Sequence, residues 1–281
     1  MRRSFKKLLW LVASFLLAVC VFFFTHNSVA QTDDGEALLD GDLLYVVSAT
    51  DPAVIRQVRG EVTNEVQGVV AEPVDSFAWD GEGVTPVSGV AQLVVDPVSN
   101  MGELVATWTD QYGDWVLRQS TFALPPMPTG LRIAESADNT RLIEDDPVTT
   151  NVYLHGNTGA ATPAVLPTLF SYVATWGPAD VTLNEQPFEN PFDGPAPQWA
   201  THTMTISGVY GGDNTVRTES GDIYNAEQPA VGMSNPDDIE FQIIFGDAPG
   251  PETKNFPPPL SFAYHLNFEN VALEIVNRGM E

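Results

Sequence analysis

The chain contains a single cysteine, Cys20, which excludes an internal disulfide. Basic residues are also scarce, because 12 Lys and Arg stand against 37 Asp and Glu, for a formal net charge of −25 at pH 7. A surface that neutralises nucleic-acid phosphates needs clustered Lys and Arg, so no nucleic-acid partner is expected. Apolar residues make up 43% of the chain, which is enough for a packed core and excludes wholesale disorder.

Short catalytic motifs are missing as well. The sequence has no G-x-S-x-G nucleophile turn, no G-x-G-x-x-G, no P-loop and no H-E-x-x-H. Because many β-sheet enzymes carry no short signature, this absence leaves the enzyme question open and predicts no catalytic residue.

The N-terminus has the order of a secretory signal. Four basic residues precede an apolar run, Leu8–Phe24, and Ser28-Val29-Ala30 then places small residues before a cleavage point at Gln31. This order predicts a signal peptide over residues 1–30 and an exported protein, whether periplasmic, cell-surface or secreted. The alternative is an uncleaved anchor, since the 17 residues of this run, all apolar except Ser14, come close to the roughly 20 that span a bilayer. In that case the N-terminal segment would be the chain's membrane contact.

After an acidic, flexible leader over residues 31–42, the sequence reads as strand after strand. Short segments rich in Val, Thr, Leu and aromatic residues are bounded by turn residues. The clearest are Leu43–Ala49, Val90–Val95, Glu103–Thr109, Trp115–Leu124, Gly130–Ala134, Asn151–His155, Phe170–Trp176, Val181–Leu183, Ala200–Tyr210, Thr215–Thr218, Ile239–Phe245 and Phe262–Ile275. They predict an all-β, antiparallel β-sandwich or jelly-roll, or a barrel, over residues 43–281. If residues 43–281 form two smaller β-domains, we expect the boundary in the proline- and aspartate-rich stretches near 125–147.

Clean alternation assigns side chains to faces in the later strands. Phe262, Tyr264, Leu266 and Phe268 share one face, so His265 lies on the other face and is expected to meet solvent. In the predicted strand Ala200–Tyr210, alternation places one row of side chains on one face and a row of hydroxyl-bearing residues on the other. The first row is Ala200, His202, Met204 and Ile206. A buried imidazole at His202 would need hydrogen-bond partners.

Three histidines follow the signal segment: His155, His202 and His265. Each lies in or at the end of a predicted strand, so a barrel could bring them together. Three imidazoles with an open fourth position would bind Zn²⁺ or Cu²⁺. Their spacing carries no motif, and three unrelated histidines with satisfied hydrogen bonds are the alternative.

Carboxylates cluster in several turns. In one of these clusters Asp213 and Asp222 flank a short hairpin and could meet at its base as ligands of a structural Ca²⁺, which prefers oxygen donors. Solvated turn carboxylates are the alternative.

Aromatic side chains beside polar ones suggest a carbohydrate site. Trp199 follows Gln198, and Trp79 precedes Asp80. An aromatic face packs on the C–H groups of a sugar while amides and carboxylates bind its hydroxyls. The sequence therefore favours a binding or interaction module at the cell envelope, with a glycan or another envelope component as partner. The alternatives are a metal-dependent enzyme built on the three histidines and a purely structural envelope protein.

Overall fold

A computed structural model of the chain describes residues 43–62, 74–75, 79–124, 134–136, 142–143, 146–158, 166–192, 194, 198–226, 228, 230–247 and 260–277. All of them belong to the second of two compact units, Leu39–Glu281. The predicted signal segment, the acidic leader and much of 125–147 lie outside the described residues. Within the described ranges, no helix is both long enough and apolar enough to cross a membrane.

Fourteen strands and one 3₁₀ turn, Gly156–Thr158, form the described structure. The strands are β1 (Leu43–Arg59), β2 (Val74–Asp75), β3 (Thr85–Pro86), β4 (Ser88–Asp96), β5 (Met101–Asp110), β6 (Gly113–Gln119), β7 (Ala134–Ser136), β8 (Leu142–Ile143), β9 (Val148–Leu154), β10 (Leu169–Leu183), β11 (Gln186–Pro187), β12 (Trp199–Gly208), β13 (Asn235–Gly246) and β14 (Phe262–Asn277).

Eight of these strands close into an antiparallel barrel. The order around it is β12, β13, β14, β1, β4, β5, β6 and β10, and β10 pairs back to β12. The predicted all-β class is confirmed, and the observed architecture is the barrel rather than two stacked sheets. Closure leaves the barrel strands without the unpaired edges that an open sheet exposes.

Long, bent strands make this closure possible. The first half of β10 pairs with β9 and the second half with β6, while β12 runs along its other side. In the 17-residue strand β1, Asp51 has a φ of 56°, and the register with β14 shifts between Val54 and Arg56. Such irregularities increase the local bend and twist, as barrel closure requires.

The barrel interior is filled by aromatic and branched side chains. Trp108 stacks on Trp115 with ring centroids 5.5 Å apart, and Tyr264 and Phe245 pack against both rings. Asp110 at this end of the barrel accepts hydrogen bonds from Trp115 Nε1 at 2.8 Å and from the Tyr264 hydroxyl at 2.7 Å. The row Phe262, Tyr264, Leu266 and Phe268 lies in this interior, which confirms the predicted alternation of β14.

Both faces of β12 are covered. Its hydroxyl-bearing residues point into the barrel, where the Oγ1 atoms of Thr203 and Thr175 lie 2.7 Å apart. Its other face carries Met204 and Ile206 on the outside of the barrel, under a second hydrophobic cluster. We call residues 209–226 the cover segment, because they supply much of this cluster. Its buried members are Val209, Tyr210, Val216, Tyr224 and Ala226.

Candidate functional site

Strand register lines up chemistry-bearing side chains on the outer face of the barrel. Residues directly opposite one another on neighbouring strands form rows across a sheet. The histidine row runs across β10, β12, β13, β14 and β1 as Trp176, His202, Ile244, His265 and Arg56. The adjacent second row runs across the same strands as Ala174, Met204, Gln242, Asn267 and Ala53.

His202 is held with one ring nitrogen available. Its Nδ1 lies 2.9 Å from the carbonyl oxygen of Thr175, and because a carbonyl only accepts, Nδ1 carries the proton. The lone pair is therefore on Nε2. The indole of Trp176 stacks on the imidazole with centroids 4.5 Å apart and planes within 14°. Burial, and then the neighbouring His155, lower the pKa of His202 to about 3, so the ring is neutral at ordinary pH.

His155, which directly follows β9, places its ring beside that of His202. Its φ of 59° turns the chain into the left-handed region, and its carbonyl accepts hydrogen bonds from the amide and hydroxyl of Thr158 at 2.9 and 2.7 Å. This turn brings its Nε2 to 3.1 Å from the sulfur of Met204 and its ring centroid to 6.0 Å from that of His202. Burial lowers the pKa of His155 to about 4.

His265 lies in the same row but is engaged elsewhere. It is 3% exposed, so the prediction that it faces solvent is wrong. Its Nε2 lies 3.0 Å from Oε1 of Gln242, the side chain beside it in the second row. Since neighbouring strands lie about 4.8 Å apart, His202 and His265 are separated by roughly 10 Å at the backbone. Burial, then Arg56 and the other two histidines, hold the pKa of His265 well below its ordinary value.

A buried carboxyl fastens the cover segment beside these rows. Oε1 of Glu240 accepts hydrogen bonds from the backbone N–H groups of Val209 and Tyr210, both at 2.8 Å. Burial raises the pKa of Glu240 to about 8, against the effect of these two bonds. Within the described part of the chain, four buried polar atoms here have no hydrogen-bond partner. They are Glu240 Oε2, Tyr210 Oη, Gln242 Nε2 and Asn267 Oδ1.

The predicted metal sets are brought together only in part. Among the described residues, no three His, Cys, Asp or Glu side chains are placed to hold one metal ion. His155 and His202 meet, whereas His265 bonds Gln242. The carboxylates of the predicted calcium pair each have local partners: Asp213 accepts from the hydroxyl of Thr215 at 2.6 Å, and Asp222 accepts from Ser220 at 2.9 Å. The bond from Thr215 also lowers the pKa of Asp213.

The predicted aromatic platform does not form at Trp199. This side chain is 2% exposed, stacks on Phe188 with centroids 5.1 Å apart, and donates its Nε1–H to the Phe188 carbonyl. Trp79 is half-buried and packs edge-on against Tyr224, while Gln198 is exposed. Of the three residues predicted to bind a glycan, Trp199 is therefore packed inside the barrel.

Sequence reasoning missed two contributors to this face. The sequence pattern predicts that Met204 shares a face with His202 and that Trp176 ends a strand, but it predicts no role for either side chain. The alternation of β12 could have flagged the His202–Met204 pair, because residues two apart share a face. Comparison with protein-family models, with curated proteins and with solved structures finds no match for this chain.

Proposed function

We propose that the protein is an exported metal-binding domain that holds one transition-metal ion between His155 and His202. The observation that carries this proposal is the pair of imidazoles with centroids 6.0 Å apart. With a metal–nitrogen distance of about 2.0 Å and a ring radius of about 1.1 Å, two imidazoles on one ion have centroids roughly 5 to 6.2 Å apart. The observed separation lies near the upper end of this range, so one shared ion would be bound with a wide nitrogen–metal–nitrogen angle of roughly 150°.

The protonation of the two rings supports the same function. A metal binds the neutral imidazole, and burial keeps both rings neutral far below neutral pH. Metal-binding histidines commonly donate their second ring N–H to a carbonyl, which fixes the ring and its tautomer. His202 has this arrangement through Thr175. The large excess of carboxylates on the chain would also raise the local concentration of cations.

Two of the three histidines in the predicted metal-dependent enzyme, His155 and His202, would hold this ion, and the function proposed for them is binding. That hypothesis used His265 as a third ligand, and Gln242 engages its Nε2. The carbohydrate hypothesis depended on Trp199, whose ring is packed in the barrel.

Calorimetric titration of the chelator-treated protein with Zn²⁺, Ni²⁺ and Cu²⁺ tests the proposal. We expect one equivalent of at least one ion, with affinity lowered at least tenfold in His155→Gln and in His202→Gln. The matched control is His265→Gln, a histidine of the same row, whose affinity should stay within about threefold. Circular dichroism establishes that each variant is folded. The absence of stoichiometric binding, or binding by His155→Gln and His202→Gln that is as tight as that of the wild type, would overturn the proposal.

A further inference from the structure

A methionine sulfur lies against the proposed metal ligands. Met204 is fully buried, and its Sδ is 3.1 Å from Nε2 of His155. With metal–nitrogen and metal–sulfur distances of about 2.0 and 2.3 Å, nitrogen and sulfur donors on one ion lie roughly 3 to 3.8 Å apart. The observed separation lies within that range, so one ion can contact both atoms.

The fold also places this sulfur on the same side as the second histidine. Met204 follows His202 by two positions in β12, so both side chains project from the outer face about 7 Å apart along the strand. His155 approaches from the end of β9 and lies near both. The His155 ring therefore lies beside both the Met204 sulfur and the His202 ring, and the three side chains come from β12 and from the turn that follows β9.

The chemistry of this donor set is selective. Thioether sulfur is a soft ligand that favours Cu⁺, whereas Ca²⁺ and Mg²⁺ prefer oxygen donors. All three donors are neutral, so the ion keeps its full charge in a partly desolvated place. The cost of desolvating an ion rises with the square of its charge, which favours a monovalent ion over a divalent one. The indole of Trp176, which stacks on the His202 ring, covers one face of this ligand.

We infer that the bound ion is copper(I) and that Met204 Sδ is its third ligand, beside His155 and His202. This inference rests on the proposed metal-binding function and names the ion and a ligand that function leaves open. Trp176 is a positioning residue, because it contacts the His202 ring rather than the ion.

Anaerobic titration with the copper(I) complex of bicinchoninate measures the affinity in competition with a chelator of known strength. We expect one copper(I) per chain and a 10- to 100-fold loss of affinity in Met204→Leu, which keeps size and apolar character. Zn²⁺ affinity should change less than threefold in the same variant. The matched control is Met101→Leu, since Met101 is 69% exposed and far along the chain from the site. Its copper(I) affinity should equal that of the wild type.

X-ray absorption at the copper edge gives a second readout. The wild type should show one sulfur and two nitrogen neighbours, and Met204→Leu should lose the sulfur. If copper(I) affinity and the sulfur signal survive in Met204→Leu, or the protein binds Zn²⁺ without binding copper(I), the inference fails while the proposed function stands. If no ion binds at all, the proposed function fails and the inference with it.

Discussion

Replacing His202 with asparagine should change how the stability of the protein depends on pH. In the folded protein the pKa of His202 is about 3, and in the unfolded chain it is near 6.5. Between these values the unfolded chain binds a proton that the folded protein does not. The free energy of unfolding of the wild type therefore falls as the pH drops below 6.5, and this contribution is absent from the asparagine variant.

The size of the effect follows from the pKa shift. Each pH unit inside this window is worth about 1.4 kcal/mol, so between pH 6.5 and 5.0 the wild type should lose about 2 kcal/mol relative to His202→Asn. The variant also loses the stacking on Trp176, but that loss is independent of pH and shifts the whole curve. The quantity to measure is therefore how the difference between the unfolding free energies of the two proteins changes with pH.

Urea denaturation of both proteins in the presence of a chelator, followed by far-ultraviolet circular dichroism at several pH values from 7.5 to 5.0, measures this difference. Far-ultraviolet detection is needed because the substitution alters the surroundings of Trp176 and with them its fluorescence. Stability curves of the two proteins that run parallel through this range would refute a half-buried His202 that stays neutral. Parallel curves would also remove the protonation argument for its role as a metal ligand.

Two further substitutions test the supports of the fold. Glu240→Gln should remove a pH effect of the opposite sign. Because the pKa of Glu240 is about 8 in the folded protein and 4.5 in the unfolded chain, the free energy of unfolding of the wild type should fall by about 1.4 kcal/mol for each unit that the pH rises between 5.5 and 7.5, relative to the variant. Equal slopes of the two proteins in urea denaturation would contradict this. Asp110→Ala removes the acceptor of the hydrogen bonds from Trp115 and Tyr264, and it should lower the free energy of unfolding by about 2–4 kcal/mol. Asp110→Asn should lower it by less. A loss below about 1 kcal/mol in Asp110→Ala would show that these two bonds do not stabilise the barrel.

Local alternation predicted much of the barrel wall. The row from Phe262 to Phe268 lines the interior, as do Phe241, Ile243 and Phe245 of β13, because the two-residue period of a strand is set by the backbone alone. Strand ends were less well predicted. Two segments assigned separately, Phe170–Trp176 and Val181–Leu183, are one strand, since the pairing with β12 carries the chain through Gly177 and Pro178.

The candidate site was predicted less completely, and His265 shows why. Alternation correctly placed His265 opposite the aromatic row. On the outer face, however, Gln242 contacts its ring and Arg56 of β1 lies beside it, so the side chain is buried and does not meet solvent. Trp199 failed in the other direction: a tryptophan beside an exposed glutamine looked like a surface platform, yet it turns into the barrel with the hydroxyl row of β12.

The amino-acid sequence alone determined the β class, the acidity and the assignment of side chains to common faces, since these depend on composition and on a backbone period of two. Tertiary structure decided which face is inside and which side chains from distant strands meet. His155 lies 49 positions before Met204, and no local pattern connects them; the closing of the strands into a barrel and the left-handed turn at His155 bring nitrogen and sulfur to 3.1 Å. Contacts of that kind depend on register and closure, which are properties of the whole sheet.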